Sequence, residues 1–247
     1  MPFNRSLGTA FKGMGKDYDA VRPDYPSRLI SHVLRQAKLK PGAQILDIGC
    51  GTGRATAHFV GKGYHVLGID PSAKMLAIAR KKLPDAHFWK GRFEDFPETK
   101  KFDSIIAAQA FHWIDPEVSY PKAYRLLKED GILAIFWNAP DFGKSKPKFL
   151  TLFKRKCSFY PYSKAGISFE ERPLRKFGRL SYRKASYRKT FRYSLDGFLA
   201  MISTFSWIAS LPREKRESLF KEIAQLAGNQ DIILPRTAHL IIAKKKP

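Results

Sequence analysis

Residues 45–56 read ILDIGCGTGRAT, and no other stretch restricts the fold as tightly. A short apolar run holds one acid, Asp47. Glycines then occupy alternate positions, Gly49, Gly51 and Gly53. Glycine is costly in backbone entropy, so three in five residues mark a backbone that bends unusually or lies against a ligand. A strand opening onto such a turn belongs to a sheet that binds ligands at the carboxyl ends of its strands. Spacing weakens one phosphate-binding reading and excludes another. In G-x-G-x-x-G the third glycine would come one residue later, and Arg54 fills that last position, where its bulk obstructs close helix–strand packing. No G-K-[ST] follows, which excludes the P-loop.

The chain around the loop alternates between strand and helix patterns. Residues 1–26 read as an irregular lead-in with several Gly and Pro. SRLISHVLRQAKL (27–39) has apolar residues at helical spacing, with Ser27 as the expected N-cap. QILDI is a buried strand. Arg54 to Val60 reads as a helix, HVLGID as a second strand, and PSAKMLAIARKKL as a helix with Pro71 near its start. HFWKGRF and FDSIIAAQA supply further strands. Pro116 to Leu127 reads as a helix, Gly131 as a break, and ILAIFWN as a fifth strand. This alternation over 45–138 implies a doubly wound, mostly parallel α/β sheet with helices on both faces. After Pro140 the rhythm stops. KSKPKFLTLFKRKCSFY suggests a basic helix and SYRKASYRKTFRYS a strand or ribbon. LDGFLAMISTFSWIAS and REKRESLFKEIAQLAG suggest two helices, and TAHLIIAKKK a last strand.

At 247 residues with 44% hydrophobic content the chain can bury a substantial core, and its composition is not that of a disordered chain. No apolar run reaches membrane-spanning length, and no secretory leader is evident. Two cysteines, Cys50 and Cys157, lack metal-ligand spacing, so no metal is expected and a cytoplasmic protein with free thiols is the simplest reading. The balance of 45 Lys+Arg against 22 Asp+Glu gives +23. Such an excess favours anionic partners. It is concentrated: residues 141–193 hold sixteen Lys or Arg and three Asp or Glu.

The spacing D-x-G-x-G-x-G resembles the first motif of the class I S-adenosylmethionine-dependent methyltransferases. LGIDPSAKML is similar to that family's second motif, GRFEDFPETKKFDSIIAAQAFHWID to its strand-four region, and LLKEDGILAIFWN to its strand-five motif. The four occur in order over 45–138. The resemblance implies a seven-stranded sheet of the Rossmann-like class I kind in one methyltransferase domain over 1–247. Within it, 1–40 would be an N-terminal lid and helix, 41–139 the cofactor-binding core, 140–195 a basic substrate-side insert, and 196–247 the C-terminal helices and last strand. YDAVRPDYP (18–26), AFHWID (110–115) and the tail ILPRTAHLIIAKK further resemble the trans-aconitate methyltransferase-like branch, whose acceptors are small molecules.

The resemblance also assigns roles. Asp47 and the loop Gly49, Gly51 and Gly53 would hold the methionine part of S-adenosylmethionine. Asp70, followed by Pro71, would receive the ribose hydroxyls. The Phe93 backbone and Glu94 would edge the adenine, or Glu94 would instead cap the next turn, and Arg92 stands where many relatives carry Asp. Gln109 would meet the cofactor amino group through its backbone carbonyl, so its side chain would carry little weight. Tyr18, Arg22 and Tyr25 would form the lid, with Arg22 pairing the cofactor carboxylate. Cys50 reads as packing rather than a nucleophile.

His112 and Trp113 fall in the turn that meets the transferred methyl. His112 is either a general base or a structural hydrogen-bonding group, and Trp113 faces the sulfonium, stacks with the adenine or packs under the lid. The expected function is methyl transfer to a small-molecule acceptor, on oxygen or carboxylate, with an anionic acceptor suited to the basic charge. The first alternative is RNA or protein methylation gripped by the basic 140–195 region, whose aromatic and cationic residues suit single-stranded nucleic acid or an anionic membrane. No N-P-P-Y-like motif follows strand four, which weighs against that alternative. The second alternative is a cofactor-binding protein without catalysis.

Overall fold

The most apolar stretches of the sequence, within residues 44–48, 102–108 and 127–140, become the central strands of one sheet. The computed structural model describes residues 21–142, 146–157, 171–228 and 230–245, with the side chains of 171–173 excepted. In chain order the elements are α1 (Ser27–Ala37), β1 (Gln44–Ile48), β2 (His65–Asp70), α2 (Ala73–Lys82), β3 (His87–Lys90), β4 (Phe102–Ala108), α3 (Pro116–Leu126) and β5 (Leu127–Pro140). Then come α4 (Pro147–Lys156), α5 (Glu171–Phe177), β6 (Leu180–Tyr193), α6 (Leu195–Ser203), α7 (Ser206–Ala209), α8 (Arg213–Ala227) and β7 (Ile232–Lys245).

The seven strands run in the order β3-β2-β1-β4-β5-β7-β6 in a mixed sheet flanked by helices. β1 pairs in parallel with β2 and β4, β2 with β3, and β4 with β5. β1 and β4 lie side by side although β2 and β3 separate them in sequence. Strand order therefore reverses there, and the crevice beyond their carboxyl ends is where such sheets take ligands. The expected Rossmann-like α/β architecture is the observed one.

The described residues gather into two compact units. Residues 24–138, 171–187 and 238–245 form the larger; 21–23, 139–142, 146–157, 188–228 and 230–237 form the smaller. The larger unit's core includes Leu29, Ile45, Phe59, Ile106 and Phe136. The smaller has its own aromatic core, with Phe142, Phe153, Phe198, Phe205 and Trp207. Fully burying each such ring contributes roughly 1.5–3 kcal/mol.

Several expected boundaries move, each for a local reason. Arg54 to Val60 is not an α-helix; only a 3-10 turn forms, Thr56–His58. Thr56 donates its hydroxyl to Asp47 Oδ2 at 2.6 Å, and a left-handed Gly53 (φ 80°) precedes it, so the segment serves the loop instead of propagating a helix. Ser27 makes no capping bond; it is the first helical residue of α1, and Pro26 holds the cap position. The Pro26 carbonyl instead accepts from Leu29 and Ile30. The apolar segment 195–210 divides into α6 and α7 at Thr204, whose hydroxyl donates to the Met201 carbonyl at 2.6 Å. Gly131 lies inside β5, but the pairing jumps from Phe102–Leu127 to Ser104–Ile132, so residues 128–131 leave the ladder. A Cβ at Gly131 would sit 3.0 Å from the Lys128 carbonyl and 3.1 Å from that of Phe102, a closeness that favours glycine. The last strand begins at Ile232, five residues ahead of the expected start at Thr237.

Candidate active site

The loop after β1 is fixed by contacts on three sides. Asp47 lies in the middle of the sheet, opposite Gly68 of β2 and Ile106 of β4, and is fully buried. Its Oδ2 accepts from Thr56, while Oδ1 has no hydrogen-bond partner among the described residues. Burial, aided by the nearby Asp70 charge, pushes the Asp47 carboxyl up to about 7. A buried, half-satisfied carboxylate destabilises a fold unless something else uses it.

The glycines have separate tasks. A Cβ on Gly49 would come 2.4 Å from the Ala110 Cβ, so its absence lets the loop after β1 touch the loop after β4. A Cβ on Gly51 would meet nothing within 4 Å. Gly51 is left-handed (φ 55°), and its N–H donates to Asp70 Oδ2 at 3.0 Å. Gly53 closes the turn, its N–H donating to the Cys50 carbonyl at 2.9 Å. Cys50 itself is packing: a Cβ on Gly68 would meet its Sγ at 2.8 Å, and burial pushes its thiol well up from the usual range. A protonated, enclosed thiol is not a nucleophile.

Asp70 ends β2. Its second oxygen, Oδ1, accepts from the Ser72 N–H at 2.8 Å. Burial raises the Asp70 carboxyl's pKa, and the two backbone N–H bonds oppose that rise. Each carboxylate oxygen keeps further acceptor capacity, enough for a vicinal diol. Pro71 carries the chain out of β2, and Ser72, not Pro71, caps α2 by accepting from the Met75 N–H.

The 3-10 turn after β3 spans Phe93–Asp95. Phe93 is buried, and Glu94 pairs with Arg92 at 2.9 Å. Gly91 donates its N–H to the Asp70 carbonyl at 3.1 Å, tying this turn to the end of β2.

After β4, Gln109 adopts φ 60°, a left-handed conformation that is uncommon without glycine. Its N–H donates to the Phe136 carbonyl at 2.9 Å, and its Nε2 to the Asn138 carbonyl at 3.2 Å. The side chain thus helps hold the strained turn, beyond the backbone role the sequence suggests. Strain of this kind clusters at functional sites. His112 and Trp113 follow on a third 3-10 turn, Phe111–Trp113, with ring centroids 4.7 Å apart. Burial lowers the His112 pKa to about 4, so the imidazole is neutral at pH 7.

The structure therefore gathers Asp47, Gly49, Gly51, Gly53 and Asp70, with Pro71 adjoining, and links them through Gly91 to Phe93 and Glu94. The contact of Gly49 with Ala110 adds the loop of Gln109, His112 and Trp113. Arg22 belongs to the smaller unit. Its Nε donates to Thr204 Oγ1 at 2.7 Å, its Nη2 to the Thr204 carbonyl at 2.9 Å, and its guanidinium lies 4.6 Å from the Phe205 ring centroid. Tyr25 packs edge-on to Phe136 at 4.8 Å. Tyr18 lies outside the described residues. Two contributors had no sequence signal of their own: Thr56, beneath Asp47, and Lys122, whose Nζ donates to the Glu94 carbonyl at 2.7 Å.

Residues 46–135 match the family model of the methyltransferase domain. The chain is 26% identical over 222 residues to an uncharacterized methyltransferase of Schizosaccharomyces pombe, covering 89% of this chain and 88% of that protein. It is 33% identical over 138 residues to an uncharacterized methyltransferase of Mycobacterium tuberculosis, covering 56% of this chain and 55% of the relative. A solved S-adenosylmethionine-dependent methyltransferase from Thiobacillus denitrificans, in complex with S-adenosylhomocysteine, superposes with a TM-score of 0.57. The match covers all of both chains at 15% identity, a likeness of fold alone. Over residues 46–135 the chain is therefore similar to the methyltransferase domain family, and its strand order is that of the fold it shares with the solved methyltransferase.

Proposed function

We propose that the protein binds S-adenosylmethionine across β1, β2 and β4 and transfers its methyl group to a small, anionic acceptor through an oxygen or carboxylate nucleophile. The observation that carries the binding half is the Gly51–Asp70 bond, which joins the glycine loop to the carboxylate at the end of β2. The residues fit the cofactor. Open space stands over Gly51, Asp70 has acceptor capacity for a diol, and the buried Asp47 Oδ1 lacks a hydrogen-bond partner among the described residues. In this reading Asp70 takes the ribose hydroxyls, Phe93 and Glu94 the adenine, the carbonyl of Gln109 the amino group, and Asp47 with Gly49, Gly51 and Gly53 the methionine part. Arg22 and Tyr18, with Tyr25, belong to the covering segment.

When bound, the cofactor supplies an electrophilic methyl on a sulfonium. The chain's own work is alignment and exclusion of water, worth several kcal/mol of barrier where the reacting atoms are held in line. Trp113 offers an aromatic face to a cation. His112, held neutral, accepts a hydroxyl proton or orients an acceptor that is already anionic. The charge of +23 draws anions toward the protein. The motifs YDAVRPDYP and AFHWID support the trans-aconitate methyltransferase-like branch and a small carboxylate acceptor. Residues 1–40, 41–139, 140–195 and 196–247 then act as lid, cofactor core, substrate-side insert and C-terminal support.

The experiment is transfer of labelled methyl from S-adenosylmethionine to three acceptor sets: small carboxylic acids, RNA and protein. Label in the small acids supports this reading. Label in RNA or protein replaces it with the alternative, which the exposed cations Arg183, Lys184, Arg188, Lys189 and Arg192 of β6 support. Cofactor binding without transfer to any set supports a non-catalytic binder.

A further inference from the structure

Lys122 is 5% exposed, on a helix whose neighbouring cation Arg125 reaches outward to pair with Glu98 at 2.7 Å. A buried ammonium is retained where protein groups replace its water. Here the replacements are not a carboxylate. Nζ donates to the backbone carbonyl of Glu94 at 2.7 Å and stands 5.5 Å from the centroid of the Phe93 ring. Desolvation lowers the pKa of Lys122, and Glu98, Asp95 and Glu94 oppose that shift. The head of the side chain is committed to one three-residue turn, Phe93–Asp95.

That turn is held elsewhere too. Gly91 donates to the Asp70 carbonyl at 3.1 Å, and Arg92 Nη2 donates to Glu94 Oε1 at 2.9 Å. One end of the turn is thereby referenced to the acid that ends β2, and the other to α3. The first N–H groups of a helical turn have no acceptor within it. They are the donors this turn offers to a ligand lying between it and Asp70. A 6-aminopurine presents an acceptor at ring position 1, whereas a 6-oxopurine carries a hydrogen there. A rigid N–H donor therefore accepts the first and repels the second.

We propose that Lys122 is a positioning residue for purine recognition. By holding the Glu94 carbonyl it fixes the distance between the Asp70 carboxylate and the N–H groups of Phe93 and Glu94, the Asp95 N–H being taken by the Arg92 carbonyl at 3.1 Å, and so selects adenine over hypoxanthine. This rests on the cofactor reading above. A Lys122 that only stabilised the fold would change the melting temperature and leave the choice of purine untouched.

The test is calorimetric titration with S-adenosylhomocysteine and S-inosylhomocysteine of wild type, Lys122→Met, Lys122→Gln, Lys122→Arg and, as control, Asp70→Ala. Folding of each variant is checked by circular dichroism. The wild type is expected to prefer the adenosyl ligand by about tenfold or more. Lys122→Met, and Lys122→Gln whose amide stops short of the carbonyl, narrow that preference to about threefold or less; Lys122→Arg restores most of it. If either neutral variant folds and keeps the wild-type ratio, the proposal is overturned. If the wild type binds neither ligand, or Asp70→Ala binds as well as wild type, the cofactor reading falls and takes this inference with it. Loss of binding in Asp70→Ala alone, with wild-type ratios at Lys122, overturns only the role of Lys122.

Discussion

Gly51 donates its backbone N–H to Asp70 Oδ2 across 3.0 Å, so the loop after β1 and the acid ending β2 form one rigid unit nineteen positions apart in sequence. No side chain could reach the same arrangement at φ 55° without strain. The loop is therefore organised before any ligand arrives, which reduces the ordering a ligand must impose.

Gly49 and Gly51 separate experimentally. Gly49→Ala adds a methyl 2.4 Å from Ala110 Cβ on a left-handed backbone, and it should destabilise the protein by about 2–4 kcal/mol. Gly51→Ala meets nothing within 4 Å and should cost about 1–2 kcal/mol of stability. Its methyl enters the space above the loop, so S-adenosylhomocysteine affinity should drop about tenfold or more. Thermal melts and titrations of the two variants check this opposite ranking.

Asp47 should trade stability against binding. Its carboxyl is raised from 3.8 to about 7, so the folded state holds a proton that the unfolded chain has released, and stability falls as pH rises through that window. Asp47→Asn removes the penalty. It should raise the ligand-free melting temperature at pH 8 by several degrees, with the gain vanishing near pH 4. The same variant should bind S-adenosylhomocysteine more weakly. Melting curves across pH, with and without ligand, measure both effects.

His112 runs the other way. Burial lowers its pKa from 6.5 to about 4, so the folded state resists protonation that the unfolded state accepts, and stability is lost as pH falls between those values. Proton NMR of the His112 ring should show a midpoint near 4. A midpoint near 6.5 would mean the ring is solvated.

Arg22 should behave as a structural anchor of the smaller unit in the ligand-free protein. Arg22→Ala removes two bonds to Thr204 and a stack on Phe205, a loss of about 1–3 kcal/mol. For a chain this long that lowers the melting temperature by roughly 2–4 °C per kcal/mol. Thr204→Val should cost less, and the double variant should lose less than the sum.

The site's skeleton was legible because its cost is written in residue types. Glycine at positive φ and an acid at a strand end have few other uses, and Gly49, Gly51, Gly53, Asp47 and Asp70 all follow that logic. Alternating strand and helix patterns made the sheet readable in the same way. What stayed hidden depends on tertiary partners. Lys122 occupies a helix where a lysine ordinarily faces water, and only the fold reveals the Glu94 carbonyl opposite it. Thr56 sits in a stretch with helical pattern, and its bond to Asp47 diverts the backbone into a 3-10 turn. Thr204 splits an apolar run that spacing alone reads as one helix. Gln109 carries a left-handed φ that its residue type does not advertise.

Whether the glycine loop and Asp70 hold S-adenosylmethionine is decided by calorimetric titration of wild type and Asp70→Ala with S-adenosylmethionine and S-adenosylhomocysteine. Wild type should bind both ligands. The folded variant should lose about tenfold or more in affinity, since the acceptor proposed for the ribose hydroxyls is removed. A folded Asp70→Ala that binds either ligand as tightly as wild type would contradict this assignment, as would a wild type that binds neither.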